Sequence, residues 1–203
     1  MQEQIAIKTL QDDLNFSSEC INKLKLFSES LILENKKHNF ISKKTESDIW
    51  NRHILDSAQL VKFINFSKGS LADLGTGGGF PGIVLALFNT NNDFQVKLFE
   101  KSPVKRKFLE KIVKKYDIKA QVLSNIYDNE IDVDYIVSRA FKKFEKIIQV
   151  SREIVKKPHK LIVLKGANAE EEINKAIIKV KYPYKLEKSM TDKNSKIIII
   201  DFN

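Results

Sequence analysis

The stretch from Leu71 to Gly82, LADLGTGGGFPG, constrains the fold more than any other part of the 203-residue chain. Its first four residues, Leu71 to Leu74, predict a short buried strand. Five of the seven glycines follow, at positions 75, 77, 78, 79 and 82, and Pro81 is compatible with the first turn of a helix. Glycine carries no side chain, so a ligand could lie against this backbone. The sequence therefore predicts a strand, a sharp turn and a helix.

A glycine turn between a strand and a helix suits a nucleotide-like ligand at the carboxyl end of a parallel sheet. Two glycine patterns overlap here. Gly77, Gly79 and Gly82 fit the dinucleotide spacing G-x-G-x-x-G, whereas Gly75, Gly77 and Gly79 fit the G-x-G-x-G spacing typical of S-adenosylmethionine binders. A turn without a ligand is the alternative, although a mere turn rarely needs so many glycines. An ATPase phosphate loop is excluded, because no Gly-Lys-Ser or Gly-Lys-Thr follows.

Two acidic residues at predicted strand ends flank this turn. Asp73 stands just before the first glycine, where a carboxylate could help to place a cationic amino-acid ligand such as S-adenosylmethionine. Glu100 ends the next predicted strand, where it could accept hydrogen bonds from both ribose hydroxyls of a nucleoside. Glu100 fits a nicotinamide cofactor equally well, so a nicotinamide-dependent oxidoreductase stays open as an alternative.

The charge balance favours a polyanionic partner. Lys and Arg total 35 against 26 Asp and Glu, which gives a formal charge of +9. Such an excess is typical of nucleic-acid binding, although charged runs also form solvated faces. A non-catalytic RNA-binding module is therefore a further alternative.

Cys20 is the only cysteine, so neither an internal disulfide nor a cysteine zinc site is expected. The start of the chain does not resemble a signal peptide and no apolar run is long enough to span a membrane, so we expect a cytoplasmic monomer that binds neither a metal nor a membrane.

The chain divides into two regions by composition. Residues 1–66 lack glycine and proline and show helical spacing of apolar residues, which predicts a helical N-terminal extension packed on the core. We predict Ser17 and Thr45 as N-caps of its second and third helices. The predicted helices are Ile5 to Leu14, Ser18 to Lys37 and Thr45 to Ile64.

Residues 67–203 predict an α/β domain in which strands and helices alternate in a doubly wound sheet. After the glycine turn, the predicted strands are 94–100, 120–124, 135–138 and 161–165, and the predicted helices are 103–116, 141–155 and 169–180. The last two strands, 184–189 and 196–203, are separated by a polar turn and predict an antiparallel hairpin. A mostly parallel sheet closed by such a hairpin resembles a class I methyltransferase with a Rossmann-like fold.

Two segments of the extension carry candidate functional side chains. The connector 36–44, KKHNFISKK, interleaves Phe40 with basic residues, a pattern that could grip a phosphate backbone and stack on a base. Burial of Phe40 in the core is the alternative. In the third helix His53 and Asp56 are three residues apart and could meet on one face. Neither a serine elbow nor metal-ligand spacing lies nearby, which disfavours hydrolysis.

Five blocks together resemble one family, the bacterial small-subunit (16S) ribosomal RNA guanine-N7 methyltransferases, also called glucose-inhibited division protein B. The resemblance runs from about residue 20 to the end of the chain. It implies a class I methyltransferase fold with a helical extension, S-adenosylmethionine as cofactor, and methylation of one guanine in the decoding-region loop of 16S ribosomal RNA. The blocks are Asn39 to Ser42, Arg52 to Ser57, Asp73 to Ile83, Ser138 to Phe141 and Leu164 to Gly166.

Carried over by position, the resemblance places cofactor contacts at Gly75, at Phe80, on the backbone near Ile126 and Tyr127, and at Arg139. Phe80 replaces a leucine common in the family, and the block around Ile126 lacks the family's usual acidic pair. The full candidate cofactor set adds the residues of the glycine turn and its acidic flanks. It comprises Asp73, Gly75, Gly77, Gly79, Phe80, Glu100, Ile126, Tyr127 and Arg139.

The reaction implied by the resemblance needs no strong general base. Guanine N7 has an unshared lone pair, so positioning and charge stabilisation would carry most of the catalysis. Cys20 lies far from the glycine turn, which disfavours pyrimidine C5 methylation, and an Asn-Pro-Pro-Tyr type motif for amine methylation is absent. We predict that His53, Arg52, Arg139 and Lys165 serve the RNA, with Asn39 and Phe40 as outer candidates. The predicted catalytic set is His53, Arg139 and Lys165.

Overall fold

The computed structural model describes residues 2–128, 131–139, 143–167, 169–177 and 182–203. The helices are α1 Gln2–Asp12, α2 Ser18–Asn35, α3 Lys43–Glu46, α4 Asp56–Ala58, α5 Gly82–Phe88, α6 Pro103–Lys115, α7 Phe144–Ile154 and α8 Ala169–Ile177. The strands are β1 Gly69–Leu74, β2 Phe94–Phe99, β3 Gln121–Leu123, β4 Tyr135–Arg139, β5 His159–Lys165, β6 Tyr184–Lys188 and β7 Lys196–Phe202.

The predicted helical start of the chain is confirmed in its first two helices. The Ser17 hydroxyl accepts a hydrogen bond of 3.1 Å from the Cys20 amide, so Ser17 is the N-cap of α2 as predicted. The apolar stripe of α2 is buried, and Leu24, Phe27 and Leu31 have no exposed surface. Helical spacing of apolar residues therefore identified both the helix and its buried face.

The predicted third helix, Thr45 to Ile64, is wrong as one continuous element. A short α3 starts at Lys43, and its N-cap is Ser42, whose hydroxyl accepts from the Lys44 amide, rather than Thr45. A π-helical turn, Trp50–Leu55, then leads into α4, and a 3₁₀ turn, Gln59–Phe63, ends the segment. Side chains compete with the backbone here: the Ser57 hydroxyl donates to the His53 carbonyl at 2.6 Å. The winding therefore changes three times over a stretch that periodicity alone predicts as regular.

A seven-stranded sheet forms the centre of the protein in the order β3-β2-β1-β4-β5-β7-β6. The first five strands run parallel, and β7 pairs antiparallel with both β5 and β6. The predicted doubly wound sheet with a closing hairpin is confirmed. Strand order reverses between β1 and β4, and the crevice beyond the carboxyl ends of such strands is where open α/β sheets bind ligands.

The predicted helices 141–155 and 169–180 are confirmed in the part of the chain that the structure describes. Residues 141, 142 and 178–180 lie outside the described residues. Apolar side chains of β1 alternate between two clusters on opposite faces of the sheet: Leu71 joins one, and Ala72 and Leu74 join the other. The first cluster also contains Leu10 and Leu24 of the helical extension, so the extension and the sheet share one core.

No helix within the described residues is long and apolar enough to cross a membrane. A search of the same residues found no group of three or more His, Cys, Asp or Glu side chains placed to hold a metal ion.

Candidate cofactor and active site

The glycine turn is held open by backbone hydrogen bonds at the end of β1. The amides of Gly75 and Thr76 both donate to the Phe99 carbonyl, at 2.9 and 3.0 Å. Gly77 has φ +60°, and a Cβ built there would meet only the Gly75 carbonyl, at 3.8 Å. A side chain at Gly77 would therefore be strained and would project into open space beside the turn.

A cavity of about 480 Å³ opens at this edge of the sheet. Its walls come from the glycine turn, the ends of β2 and β4, the start of α6 and the connector that precedes α3. The lining residues are Phe40, Ile41, Ser42, His53, Gly75, Thr76, Gly77, Gly78, Phe80, Phe99, Glu100, Lys101, Lys105, Ser124, Ile126 and Arg139. Thr76 belongs to this lining, and its hydroxyl is buried beside the Asp73 carboxyl, whose pKa it helps to lower.

Glu100 joins the glycine turn to the start of α6. One carboxylate oxygen accepts from the Gly77 amide at 2.9 Å, and the other accepts from the Ser102 amide at 2.8 Å. A carboxylate oxygen has two lone pairs, so each can also accept from a ribose hydroxyl. The side chain predicted to bind a ribose therefore lies in the cavity wall and is held by two backbone amides.

Asp73 supports the turn from beneath. Its side chain is fully buried, and one oxygen accepts from the Gly82 amide at 2.7 Å. Burial raises the pKa of Asp73 to about 7, and a hydrogen bond from the Thr76 side chain, the Gly82 amide and the charge of Arg139 oppose that shift. Asp73 does not line the cavity, so in this structure the residue predicted to contact the ligand shapes the backbone that does.

Arg139 lies at the end of β4 and binds three groups from the segment 52–56. Its guanidinium donates to His53 Nδ1 at 2.7 Å and to the Arg52 carbonyl at 3.0 Å. A third contact of 3.6 Å reaches an Asp56 carboxylate oxygen. The same guanidinium lies 5.1 Å from the centre of the Phe80 ring, a cation–π contact. Arg139 thus connects the helical extension, the sheet and the apolar wall of the cavity.

These contacts fix the protonation of His53. A guanidinium only donates hydrogen bonds, so His53 Nδ1 is the acceptor and Nε2 carries the proton. Nε2 lies 2.8 Å from the Thr45 hydroxyl, which donates its own proton to the Ser42 carbonyl at 2.9 Å. Burial first, then the charges of Arg139 and Arg52, lower the pKa of His53 to about 3. His53 is therefore a neutral, fully hydrogen-bonded wall of the cavity.

The predicted pair His53 and Asp56 meets through Arg139, since each contacts the same guanidinium. Asp56 also binds the turn of the closing hairpin: the Thr191 hydroxyl donates to its Oδ1 at 2.9 Å. Gln59 strengthens this junction by accepting from the Met190 amide at 2.8 Å. Burial raises the pKa of Asp56, and the charge of Arg139 opposes the rise.

The family described as rRNA small subunit methyltransferase G matches residues 20–198 of this chain. The chain belongs to this family. A ribosomal RNA small subunit methyltransferase G from Pelagibacter ubique (strain HTCC1062) is 32% identical, covering 98% of this chain and 97% of the relative. Its counterpart from Orientia tsutsugamushi (strain Ikeda) is 34% identical, covering 94% and 95%.

Solved structures agree with the fold. An S-adenosylmethionine-dependent methyltransferase from Aquifex aeolicus superposes with a TM-score of 0.57 at 14% identity, covering 72% of this chain and 88% of that one. The class I methyltransferase fold and membership of the methyltransferase G family together make this chain an S-adenosylmethionine-dependent methyltransferase. The glycine turn and Glu100 can accommodate the adenosine of this cofactor, and family membership decides between it and a nicotinamide cofactor. The nicotinamide alternative is therefore set aside.

Other predicted site residues of this methyltransferase lie around the cavity in different roles. Ile126 lines it, whereas Tyr127 is 52% exposed, lies outside the lining and directs its hydroxyl to Glu153 at 3.4 Å. Gly79 packs beneath the turn, where a Cβ would lie 2.8 Å from Ile83.

The remaining basic candidates lie outside the lining of the cavity. Lys165, at the end of β5, is paired with Glu172 at 2.8 Å. Arg52 is half-exposed and is paired with Asp192 of the hairpin turn at 3.1 Å.

Sequence reasoning missed that the extension contributes to the cofactor cavity itself. Phe40 is buried, as the alternative interpretation held, yet it lines the cavity together with Ile41 and Ser42. Asn39 is exposed beside it. In the sequence, the apolar pair Phe40 and Ile41 between two basic runs could have indicated that the connector reaches the cavity. Nothing in the sequence except their position near the glycine turn marks Thr76 and Lys105 as lining residues.

Proposed function

We propose that this methyltransferase methylates N7 of a guanine in the decoding-region loop of 16S ribosomal RNA. Support for the RNA comes from the relatives, whose names describe ribosomal RNA small subunit methyltransferases. The observation that carries the choice of N7 is the state of His53, whose two ring nitrogens are both occupied by hydrogen bonds. A cavity walled by a neutral histidine that cannot accept a further proton suits a nucleophile that needs no deprotonation.

Guanine N7 is such a nucleophile, since its lone pair lies in the ring plane. Bound S-adenosylmethionine supplies a methyl group on a positively charged sulfur. Attack by the N7 lone pair on this methyl group would release a neutral thioether, so the positive charge of the sulfur would pass to the purine. No proton moves in this step, so catalysis consists of in-line positioning and of stabilising the moving charge.

The proposed roles follow from where each side chain lies. Phe80 offers an apolar surface, and its ring is 5.1 Å from both His53 and Arg139. His53 and Arg139, which both lie beside the Phe80 ring, would orient the guanine. Asp56 neutralises part of the charge of the Arg139 guanidinium, so Arg139 would not oppose the sulfonium with a full positive charge. Lys165, at the neighbouring strand end, would contact an RNA phosphate. Asp73 would act on the cofactor indirectly, by holding the backbone of the glycine turn. The other proposed cofactor contacts are Gly75, Gly77, Gly79, Phe80, Glu100, Ile126, Tyr127 and Arg139.

We also propose the organisation in which this reaction takes place. Residues 1–66 would form the helical extension and residues 67–203 the S-adenosylmethionine-binding domain, acting as a monomer in the cytoplasm, where ribosomal subunits are assembled. The shared hydrophobic cluster of extension and sheet supports an extension fixed on the core.

The test is transfer of a labelled methyl group. Small ribosomal subunits from cells that lack this enzyme are incubated with it and with methyl-labelled S-adenosylmethionine, and in parallel with naked 16S ribosomal RNA. We expect label in one guanine of the decoding-region loop, mapped by the selective strand cleavage that N7-methylguanine permits. Label on another base or another atom would refute the N7 assignment. Cofactor binding without any label would favour the non-catalytic RNA-binding module.

A further inference from the structure

We propose that Asn35 is a positioning residue for the cofactor, because its side chain fixes residues 36–42 of the connector, which close one wall of the cavity. Asn35 is the last residue of α2 and is only 2% exposed. Neither the reaction chemistry nor the RNA contacts proposed above involve it. The inference concerns the cofactor site alone, so it can fail or succeed independently of the proposed guanine N7 reaction.

The Asn35 side chain forms hydrogen bonds with the connector and with α3, which follows it. Its oxygen accepts from the amides of Phe40 and Ile41, at 2.8 and 3.0 Å. Its amide nitrogen donates to Glu46 in α3 at 2.8 Å, so one buried group joins α2, the connector and α3. The Phe40 amide also reaches the His38 carbonyl, at 3.0 Å, whereas the Ile41 amide depends on Asn35. Removing Asn35 would leave a buried donor without a partner, which is costly.

The connector in turn contacts the cofactor cavity. Phe40, Ile41 and Ser42 all line it. A Cβ built at Gly78 would lie 3.4 Å from Phe40, so the connector packs directly against the glycine turn. The Phe40 ring also lies 4.7 Å from the Phe108 ring of α6. A shift of the connector would therefore move the wall that faces the glycine turn.

Ser42 links the connector to His53. The Ser42 carbonyl accepts from the Thr45 hydroxyl, which is the partner of His53 Nε2. Asn35 thus acts on the cavity by two routes, through the Phe40 wall and through the hydrogen-bond chain that ends at His53. This arrangement predicts that removal of the Asn35 side chain weakens cofactor binding.

The first test is calorimetric binding of S-adenosylhomocysteine to Asn35→Ala in the full chain. We expect binding to weaken by about tenfold, because without Asn35 part of the free energy of binding must be spent on ordering the connector. Ser30→Ala is the matched control, because it removes a different hydrogen bond of α2, that of 2.7 Å between the hydroxyls of Ser30 and Tyr116, away from the connector. Ser30→Ala should bind S-adenosylhomocysteine like the wild type. Equal losses in both variants would overturn the proposal.

A second pair of variants keeps the test valid even if Asn35→Ala does not fold. Asn35→Asp keeps the acceptor for Phe40 and Ile41 but places a carboxylate against the carboxylate of Glu46. Adding Glu46→Gln restores that contact with the donor and acceptor exchanged. We expect Asn35→Asp to weaken S-adenosylhomocysteine binding and the double variant to recover affinity to within about threefold of the wild type. Wild-type affinity in folded Asn35→Asp, or no recovery in a folded double variant, would overturn the proposal.

Discussion

His53 is neutral inside the folded protein, and this makes the free energy of unfolding depend on pH. Its pKa falls from its usual 6.5 to about 3, with burial as the main cause. Between these values the unfolded chain binds a proton that the folded protein excludes. His53 therefore lowers the free energy of unfolding as the pH falls from 6.5, by about 1.4 kcal/mol per pH unit.

Replacing His53 by Gln tests this directly. Gln can accept from Arg139 and donate to Thr45, yet it does not titrate. As the pH falls from 6.5 to 4.5, the wild type should lose about 2 to 3 kcal/mol of its free energy of unfolding through His53, and His53→Gln should not lose this amount. Urea unfolding of both proteins at several pH values measures the difference. A difference that stays constant with pH would contradict a neutral, buried His53.

Asp73 should give the opposite trend. Burial raises its pKa from 3.8 to about 7, so below pH 7 the folded protein keeps a proton that the unfolded chain releases. That contribution to stability is lost as the pH rises through 7. We expect Asp73→Asn to gain stability relative to the wild type as the pH rises from 4 to 7, by about 1.4 kcal/mol per pH unit. Urea unfolding detects this, and a difference of the reverse sign would refute it.

Gly77 is the residue at which cofactor binding can be separated from folding. It has φ +60° and lines the cavity, so a side chain there adds strain of about 1 to 2 kcal/mol and occupies ligand space. We expect Gly77→Ala to weaken S-adenosylhomocysteine binding and Gly77→Asp to abolish it, while both variants stay folded by circular dichroism. Ser67→Asp, which adds the same charge just before β1, at the opposite edge of the sheet, should bind normally. Normal binding by Gly77→Asp would contradict the proposed contact.

At the level of elements, the turn of the hairpin β6–β7 stabilises the helical segment that carries His53. Thr191 donates to the mostly buried Asp56 at 2.9 Å, whereas Asp192 forms a more exposed pair with Arg52. We expect Thr191→Val to lower the free energy of unfolding by about 1 to 2 kcal/mol, because a buried carboxylate loses a donor. Asp192→Ala should have a smaller effect that vanishes in about 1 M salt. Urea unfolding at two salt concentrations distinguishes the two contacts, and equal salt sensitivity would contradict this assignment.

The sequence predicted elements well wherever a local pattern determines them. The glycine turn, the alternating strands and the Ser17 cap depend on neighbouring residues, and each is confirmed. The helix Thr45 to Ile64 failed because its winding is set by side chains that bind backbone carbonyls, such as Ser57 to His53. Periodicity does not report such contacts.

At the scale of the whole molecule, the cavity wall is assembled from residues far apart in the chain. Arg139 meets His53 across 86 positions, and Thr191 meets Asp56 across 135. No local pattern encodes contacts between residues so far apart in the chain, so the sequence did not predict that these side chains form one hydrogen-bonded junction. The role of the connector in the cofactor cavity escaped prediction for the same reason.

The shared core predicts that the helical extension and the sheet unfold together. Leu10 of α1 has no exposed surface and belongs to the same cluster as Leu71 of β1, and the ring of Phe16 lies 4.9 Å from that of Phe88. Trp50, the single tryptophan, is buried in the extension, so its fluorescence reports there while circular dichroism reports on the whole chain. We expect the two thermal transitions to coincide, and Leu10→Ala to lower both together at a cost of about 2 to 5 kcal/mol. Loss of the Trp50 signal before the sheet unfolds would mean that the extension is an independent unit.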